Sequence, residues 1–214
     1  MTEARRFLVY GAGGHGKVVA DIVESTGGDV VGFVDRDPGR SKQSTAQVID
    51  EKEFLAQLSS GRRASLGATD IALGVGDNAA RMRVFRRLEA HSLPTLVHPT
   101  AAVSRSASLG AGTVVMPMAA INASAKVGAA VIINTGAVVE HDCEIEDGAH
   151  VSPGAVLAGG VHVGREAWIG AGAVIIQNVR IADRCVVGAG AVVLDDTQPG
   201  ETVVGVPARP VVTA

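Results

Sequence analysis

Aromatic residues are scarce in this chain. One Trp, one Tyr and four Phe among 214 residues make 3% of the sequence, against 47% hydrophobic residues overall. A core built around rings is excluded, so the interior must be assembled from Val, Ile, Leu and Ala. Cysteine is also scarce. Cys143 and Cys185 read as reduced core residues, which fits a cytoplasmic protein. Positive charge is not in excess: the net charge of −3 gives no electrostatic case for nucleic acid. No apolar run reaches the roughly 18 residues that span a membrane. The opening Met-Thr-Glu-Ala-Arg-Arg leads straight into a strand, so no signal peptide is expected. The length suits one large domain or two small ones.

What the chain does have is a period. From Val103 to Val193 every sixth residue is aliphatic, 16 positions without a miss. Four residues after each stands a small residue, from Ala107 through Ala137, Cys143 and Ala155 to Thr197. No helix has a six-residue period, and a hexapeptide repeat of this length is the signature of a parallel β-helix. Side chains alternate along a strand, so the aliphatic residue and the small one two before it both face inward. The residues between them form the corners, rich in Gly and Asn as at Gly110, Asn122, Gly128, Asn134, Gly164, Gly170 and Gly188. Three hexads close one triangular coil, so residues 18 apart stack. Sixteen hexads make a little over five coils, a prism roughly 25 Å tall at about 4.8 Å per coil. Cys143 and Cys185, 42 residues apart, then lie on different faces.

The first hundred residues read differently. A buried strand at 6–10 runs into Gly11-Ala12-Gly13-Gly14-His15-Gly16 and a helix to about Thr26. This is G-x-G-x-x-G in the strand–turn–helix setting that the motif needs, with free helix N–H groups for an anion such as a pyrophosphate. Asp35, just past a second strand at 29–34, is placed to bind a ribose hydroxyl. The same glycines also fit a tight connection that binds nothing, and Asp35 also fits a solvated loop. Residues 37–50 read as a loop, 51–59 as a short helix, and 60–69 as a polar loop. A third strand covers 70–75, ending in Gly76-Asp77-Asn78, and a basic helix 78–91. Arg81, Arg83, Arg86 and Arg87 read as its solvated face. A last strand covers 93–97. Strands alternating with helices give a parallel α/β unit of residues 1–97. It is about half a dinucleotide-binding fold, suited to the nucleotide part of a substrate and not to a whole NAD. The repeat domain takes 98–214.

A β-helix face has no pocket of its own, so a site needs the groove between neighbouring prisms. Gly170-Ala171-Gly172 and Gly188-Ala189-Gly190 are 18 apart and form a column of minimal side chains, along which a thin ligand such as a pantetheine arm fits. His141, at a corner between Glu140 and Asp142, is the best general base, although a surface corner histidine is the plainer reading. His141, His150 and His162 are 9 and 12 apart. None of the three stack within one subunit, and no metal site is expected.

These residues together resemble the bacterial nucleotide-sugar acetyltransferases with an N-terminal Rossmann-like domain and a C-terminal left-handed β-helix. That family includes the N-acetyltransferases of bacillosamine and perosamine synthesis and the sialic acid O-acetyltransferases. The resemblance rests on residues 10–19, on Ile133-Asn134-Thr135-Gly136 running to Glu140-His141-Asp142-Cys143, on His150-Val151-Ser152, and on Gly205-Val206-Pro207-Ala208. It implies acetyl-CoA as co-substrate, a homotrimer with active sites between subunits, and a nucleotide-linked amino sugar acetylated on its 4-amino group. It implies His141 as base, with Asp142 beside it where some relatives carry Glu. His150 matches a contact to the thioester region, and Ala171 and Ala189 match backbone contacts to the cofactor. Gly13, Gly14, His15, Asp35, Arg36 and Gly76 match the nucleotide-sugar pocket. O-acetylation of sialic acid or another glycan hydroxyl is the alternative activity; a non-catalytic nucleotide-sugar-binding β-helix is the alternative of another class. The base, the sugar and the oxyanion donor are left open by the sequence.

Overall fold

The computed structural model describes residues 4–41, 46–59, 67–88 and 91–211, and the chain divides into two compact units, Met1–Leu96 and Val97–Ala214. The first is built on a four-stranded parallel sheet in the order β3-β2-β1-β4. Its strands are β1 (Arg6–Tyr10), β2 (Asp29–Asp35), β3 (Val48–Asp50) and β4 (Asp70–Leu73). Helices α1 (Gly14–Ser25), α2 (Glu51–Ser59) and α3 (Asn78–Leu88) follow β1, β3 and β4. Buried Leu8, Val9, Val34, Ile71 and Leu73 pack with Val19, Ile22 and Val23 of α1. A parallel sheet covered this way needs such continuous apolar runs.

Several expectations for this unit change. The third strand, expected over 70–75, ends at Leu73. Part of the segment expected as a loop at 37–50 contains the edge strand β3, too short for its alternation to stand out. Asp35 is the last residue of β2 and not the first beyond it. The strand expected at 93–97 is only Leu96–Val97, and it heads the eight-stranded sheet of the second unit. Pro94 has no N–H for a ladder, which keeps the earlier residues out. The polar loop expected at 60–69 lies largely outside the described residues.

The second unit is a parallel β-helix with three sheets of two-residue strands, apart from the three-residue Thr202–Val204, which pairs antiparallel with Arg209–Pro210. Lys126 pairs with Ser108 and Glu144, Ile132 with Val114 and His150, and Val138 with Ala120 and Val156, so each residue lies beside those 18 away. Both ladders fill the interior: Val139, Ile145, Val151, Leu157, Ile169 and Ile175 with Ala137, Ala149, Ala155 and Ala173 are all buried. Cys143 and Cys185 are buried and free.

The corners obey a rule that composition hides. Every sixth residue from Gly112 to Gly190 has positive φ, 14 positions in all, of which seven are glycine. This position lies three after the aliphatic residue and includes Asp142 at φ 60°. The glycines directly after the aliphatic residue serve another purpose. A Cβ on Gly110, Gly128, Gly164 or Gly170 would come within 2.6 Å of an atom of the next coil. They permit close stacking and not a turn angle. No helix among the described residues is long and apolar enough to cross a membrane.

Candidate active site

His141 and Asp142 occupy the two turn positions of one corner. Their backbone is tied to the coils on either side: the Asp142 N–H donates to the Ala123 carbonyl, and the Gly160 N–H to that of His141. Left-handed φ at Asp142 turns its side chain back to its neighbour, and Asp tolerates that conformation. The His141 Nδ1–H donates to Asp142 Oδ2 at 2.8 Å, with the two side chains 63% and 66% exposed. The carboxylate thereby fixes the tautomer and leaves the Nε2 lone pair to accept a proton. The shorter side chain of Asp142 reaches the ring. One coil on, Gly159 leaves the space the ring occupies, since a Cβ there would come within 2.6 Å of His141 Nε2. Its 18-residue distance from His141 carries that signal in the sequence.

His150 stands on an outward position of the eight-stranded sheet. Asn134 Nδ2 donates to its Nε2 at 3.0 Å, and its ring stacks on Trp168, 5.9 Å between centroids and 6° from parallel. The Trp168 Nε1–H in turn donates to Ser152 Oγ at 2.8 Å. Trp168 was not singled out from sequence, although it lies 18 residues from His150. Gly170–Gly172 and Gly188–Gly190 do stack, with the Gly190 N–H donating to the Ala171 carbonyl. Ala171 and Ala189 are exposed, and nothing lies within 4 Å of a Cβ built on Gly172 or Gly190. A cradle this bare fits a narrow ligand such as the pantetheine arm of acetyl-CoA. His162 belongs to another face, mostly buried between Glu144 and Glu146, with Nε2 3.2 Å from Glu146 Oε1. The three histidines are not brought together. Among the described residues no group of His, Cys, Asp and Glu is arranged to hold a metal ion.

In the first unit the glycine motif has two separate tasks. A Cβ on Gly16 would strike the Gly11 carbonyl oxygen at 1.9 Å, and one on Gly74 would meet Gly16 Cα at 2.7 Å, so these residues let α1 pack on the sheet. Gly13 and Gly14 face open space. No acidic residue stands in the first turn of α1, so its N-terminus keeps its positive end for an anion. Asp35 Oδ2 accepts the Ala12 N–H at 2.8 Å and Oδ1 the Asp37 N–H at 3.0 Å, so it also fastens the glycine loop. Arg36 donates to Glu51 Oε2, and the Tyr10 hydroxyl donates to Glu51 Oε1. Burial, with the Glu51 contact adding to it, pushes the Tyr10 hydroxyl well above its ordinary range. Tyr10, Gly11, Val34, Asp35, Arg36, Glu51, and Val75 with Ala80 and Val84, line a cavity of about 160 Å³.

Arg81 corrects the sequence reading outright. Arg83, Arg86 and Arg87 are exposed, but Arg81 is 1% exposed. Its Nη1 donates to the carbonyls of Val75 (3.1 Å) and Gly76 (2.8 Å), and Nη2 to Asn78 Oδ1 (2.8 Å). The solvated-face reading fails because the loop after β4 turns the Val75 and Gly76 carbonyls, with Asn78 at the start of α3, onto the guanidinium. His15 lies beside Gly76, and its Nε2 is buried with no hydrogen-bond partner among the described residues. Burial, reinforced by the Arg81 charge, lowers its pKa to about 4.

A glycine-rich α/β unit joined to a β-helix with an exposed histidine–carboxylate pair defines a hexapeptide-repeat acyltransferase. The PglD N-terminal domain model matches residues 6–88, and the bacterial transferase hexapeptide model (six repeats) matches 124–159 and 160–195. The acetyltransferase domain of PglB from Neisseria gonorrhoeae is 38% identical over 97% of this chain and 100% of its own, with a TM-score of 0.88. PerB from Caulobacter crescentus, solved with CoA and GDP-perosamine, is 37% identical over 98% of both chains, with a TM-score of 0.88. WeeI from Acinetobacter baumannii is 26% identical over 97% of this chain and 100% of its own, with a TM-score of 0.79. No curated protein matches significantly. The chain belongs to the bacterial nucleotide-sugar acetyltransferase family that joins a PglD-type N-terminal domain to hexapeptide repeats.

Proposed function

We propose that this protein transfers the acetyl group of acetyl-CoA to the 4-amino group of a nucleotide-linked amino-deoxy sugar. The observation that carries this is the preformed His141–Asp142 pair, in a chain alike over nearly its whole length to acetyltransferases of that kind. The N-terminal unit binds the nucleotide through Gly13, Gly14, His15, Asp35, Arg36 and Gly76. The β-helix supplies the base, with His150, Gly170, Ala171, Gly188 and Ala189 along the acetyl-CoA cradle. Acetyl-CoA supplies the acyl group as a thioester. His141 Nε2 takes the proton that the neutral amine sheds as its nitrogen bonds to the acyl carbon. That proton then leaves with the CoA sulfur as the C–S bond breaks, and Asp142 stabilises the transient imidazolium. A hydrogen-bond donor at the cradle stabilises the oxyanion. Binding the nucleotide away from the reacting nitrogen positions the amine, which lowers the entropic part of the barrier. The cradle becomes a groove when a second prism lies beside it, so we read the protein as a homotrimer. We read it as a cytoplasmic protein, a reading supported by its two free, buried cysteines.

The test is thiol release from acetyl-CoA against UDP-, GDP- and dTDP-linked 4-amino-4,6-dideoxy sugars and free sialic acid, with wild type beside His141→Ala. Release with one nucleotide amino sugar, reduced about 10²- to 10⁴-fold in the variant, is the expected result. Release with sialic acid alone overturns the amine acceptor. No release, with CoA binding also absent, overturns the enzyme.

A further inference from the structure

The loop after β4, Gly74–Asp77, backs the glycine loop through Gly74, which packs on Gly16 and Gly11, and through Gly76, which lies beside His15. A chain stretch of this kind, with glycine at two positions, has little to hold its shape by itself. Arg81 holds it from behind, one helical turn into α3. Its guanidinium spans the Val75 and Gly76 carbonyls and the Asn78 side chain, three acceptors from three residues. The planar fork of arginine can meet such a set, and a lysine ammonium on a flexible stem cannot meet it equally well. The N-terminus of α3 is secured separately, with Asp77 Oδ1 accepting the Ala80 N–H at 2.7 Å. Arg81 is therefore not needed as a cap.

We propose that Arg81 is a positioning residue for nucleotide recognition: it fixes the Val75–Gly76 backbone against His15, so that the unpaired His15 Nε2 is held for a polar group of the bound nucleoside diphosphate. This rests on the nucleotide-sugar reading of the same site. Arg81 is buried and acts through the loop, whose Val75 lines the same cavity as Asp35 and Arg36. The charged group bearing on His15 is Arg81 itself, which together with burial keeps the imidazole neutral at physiological pH. A neutral ring offers a fixed donor or acceptor in place of a mobile charge.

The test is direct binding of GDP, UDP and dTDP to the full chain by titration calorimetry. It uses wild type, Arg81→Lys, Arg81→Met and His15→Gln, with CoA binding measured on each. The expected result is that wild type binds at least one diphosphate and that both Arg81 variants and His15→Gln bind it about 10-fold or more weakly. CoA affinity is expected to stay within about twofold. In Arg81→Met, the His15 imidazole resonance is expected to titrate at higher pH than in wild type, a shift that a loss of packing elsewhere would not produce. Arg81→Lys and His15→Gln keep the question answerable if Arg81→Met does not fold. Wild-type binding with no loss in Arg81→Lys or His15→Gln overturns the inference alone. A wild type that binds none of the three diphosphates overturns the nucleotide-site reading on which it stands.

Discussion

Single residues here act through what they leave vacant as much as through what they carry. Gly159 carries no chemistry, but its missing Cβ is the space in which the His141 ring lies. Gly159→Ala is expected to push the ring off Asp142, because a terminal ring yields more easily than a coil. The measurement is kcat, expected to fall at least about 10-fold, which corresponds to about 1.4 kcal/mol in the barrier, with Tm little changed. His15 gives the pH dependence. Its folded-state pKa is near 4, below the unfolded value of about 6.5. The unfolded chain therefore binds more protons between those values, and stability falls as pH drops from about 6.5 toward 4. The slope from this group is at most about 1.4 kcal/mol per pH unit. Denaturant melts at pH 7 and pH 4.5 are expected to differ less in His15→Gln than in wild type. Asp70 acts in the same sense, its contribution also lost as pH falls, because its folded-state pKa too lies below the unfolded value. Burial raises its carboxyl, but hydrogen bonds from Arg5, Ser92 and Thr69 outweigh that and hold it below the usual range.

At the scale of elements, the hexad is a unit with assigned volumes. One aliphatic and one small side chain per hexad fill the coil at close packing. Leu157→Ala empties a fully buried site and is expected to cost about 2–5 kcal/mol. Ala155→Leu overfills the same region and is expected to cost about 1–3 kcal/mol or more. Equilibrium denaturation with a far-UV readout of the β-helix separates both from wild type. The glycine loop offers a sharper contrast. Gly16→Ala meets backbone at 1.9 Å, so it should lift α1 and lower the stability of the first unit. Gly13→Ala meets nothing within 4 Å, with φ of −77° that alanine accepts. It should leave Tm unchanged and weaken nucleotide binding alone.

For the whole molecule, the prediction concerns assembly and ligand linkage. Sedimentation equilibrium is expected to give three times the chain mass of 21.7 kDa. CoA at about 100 times its Kd is expected to stabilise the protein by about 2.7 kcal/mol, read as a rise in Tm. A monomer mass that persists with CoA bound would contradict the shared groove. Much of this organisation is legible in the chain. The break in pattern near residue 97 separates alternating strands and helices from the hexads, and the period of six predicts which residues 18 apart are neighbours. His141 beside Asp142 is legible because adjacent turn positions need no fold to bring them close.

The sequence by itself determined the β-helix, its inward ladders and its corner histidine, because a six-residue period specifies burial and stacking through local geometry alone. It also determined the strand, glycine turn and helix of the first unit, whose signals lie within about 20 residues of one another. Only the tertiary structure decided that Arg81 is interior, that Val48–Asp50 is an edge strand, and that Asp35 fastens the glycine loop as well as facing a cavity. Each of those depends on a partner that the chain's own periodicity does not supply. A charged or short polar segment reads as solvated until the fold brings its acceptors to it.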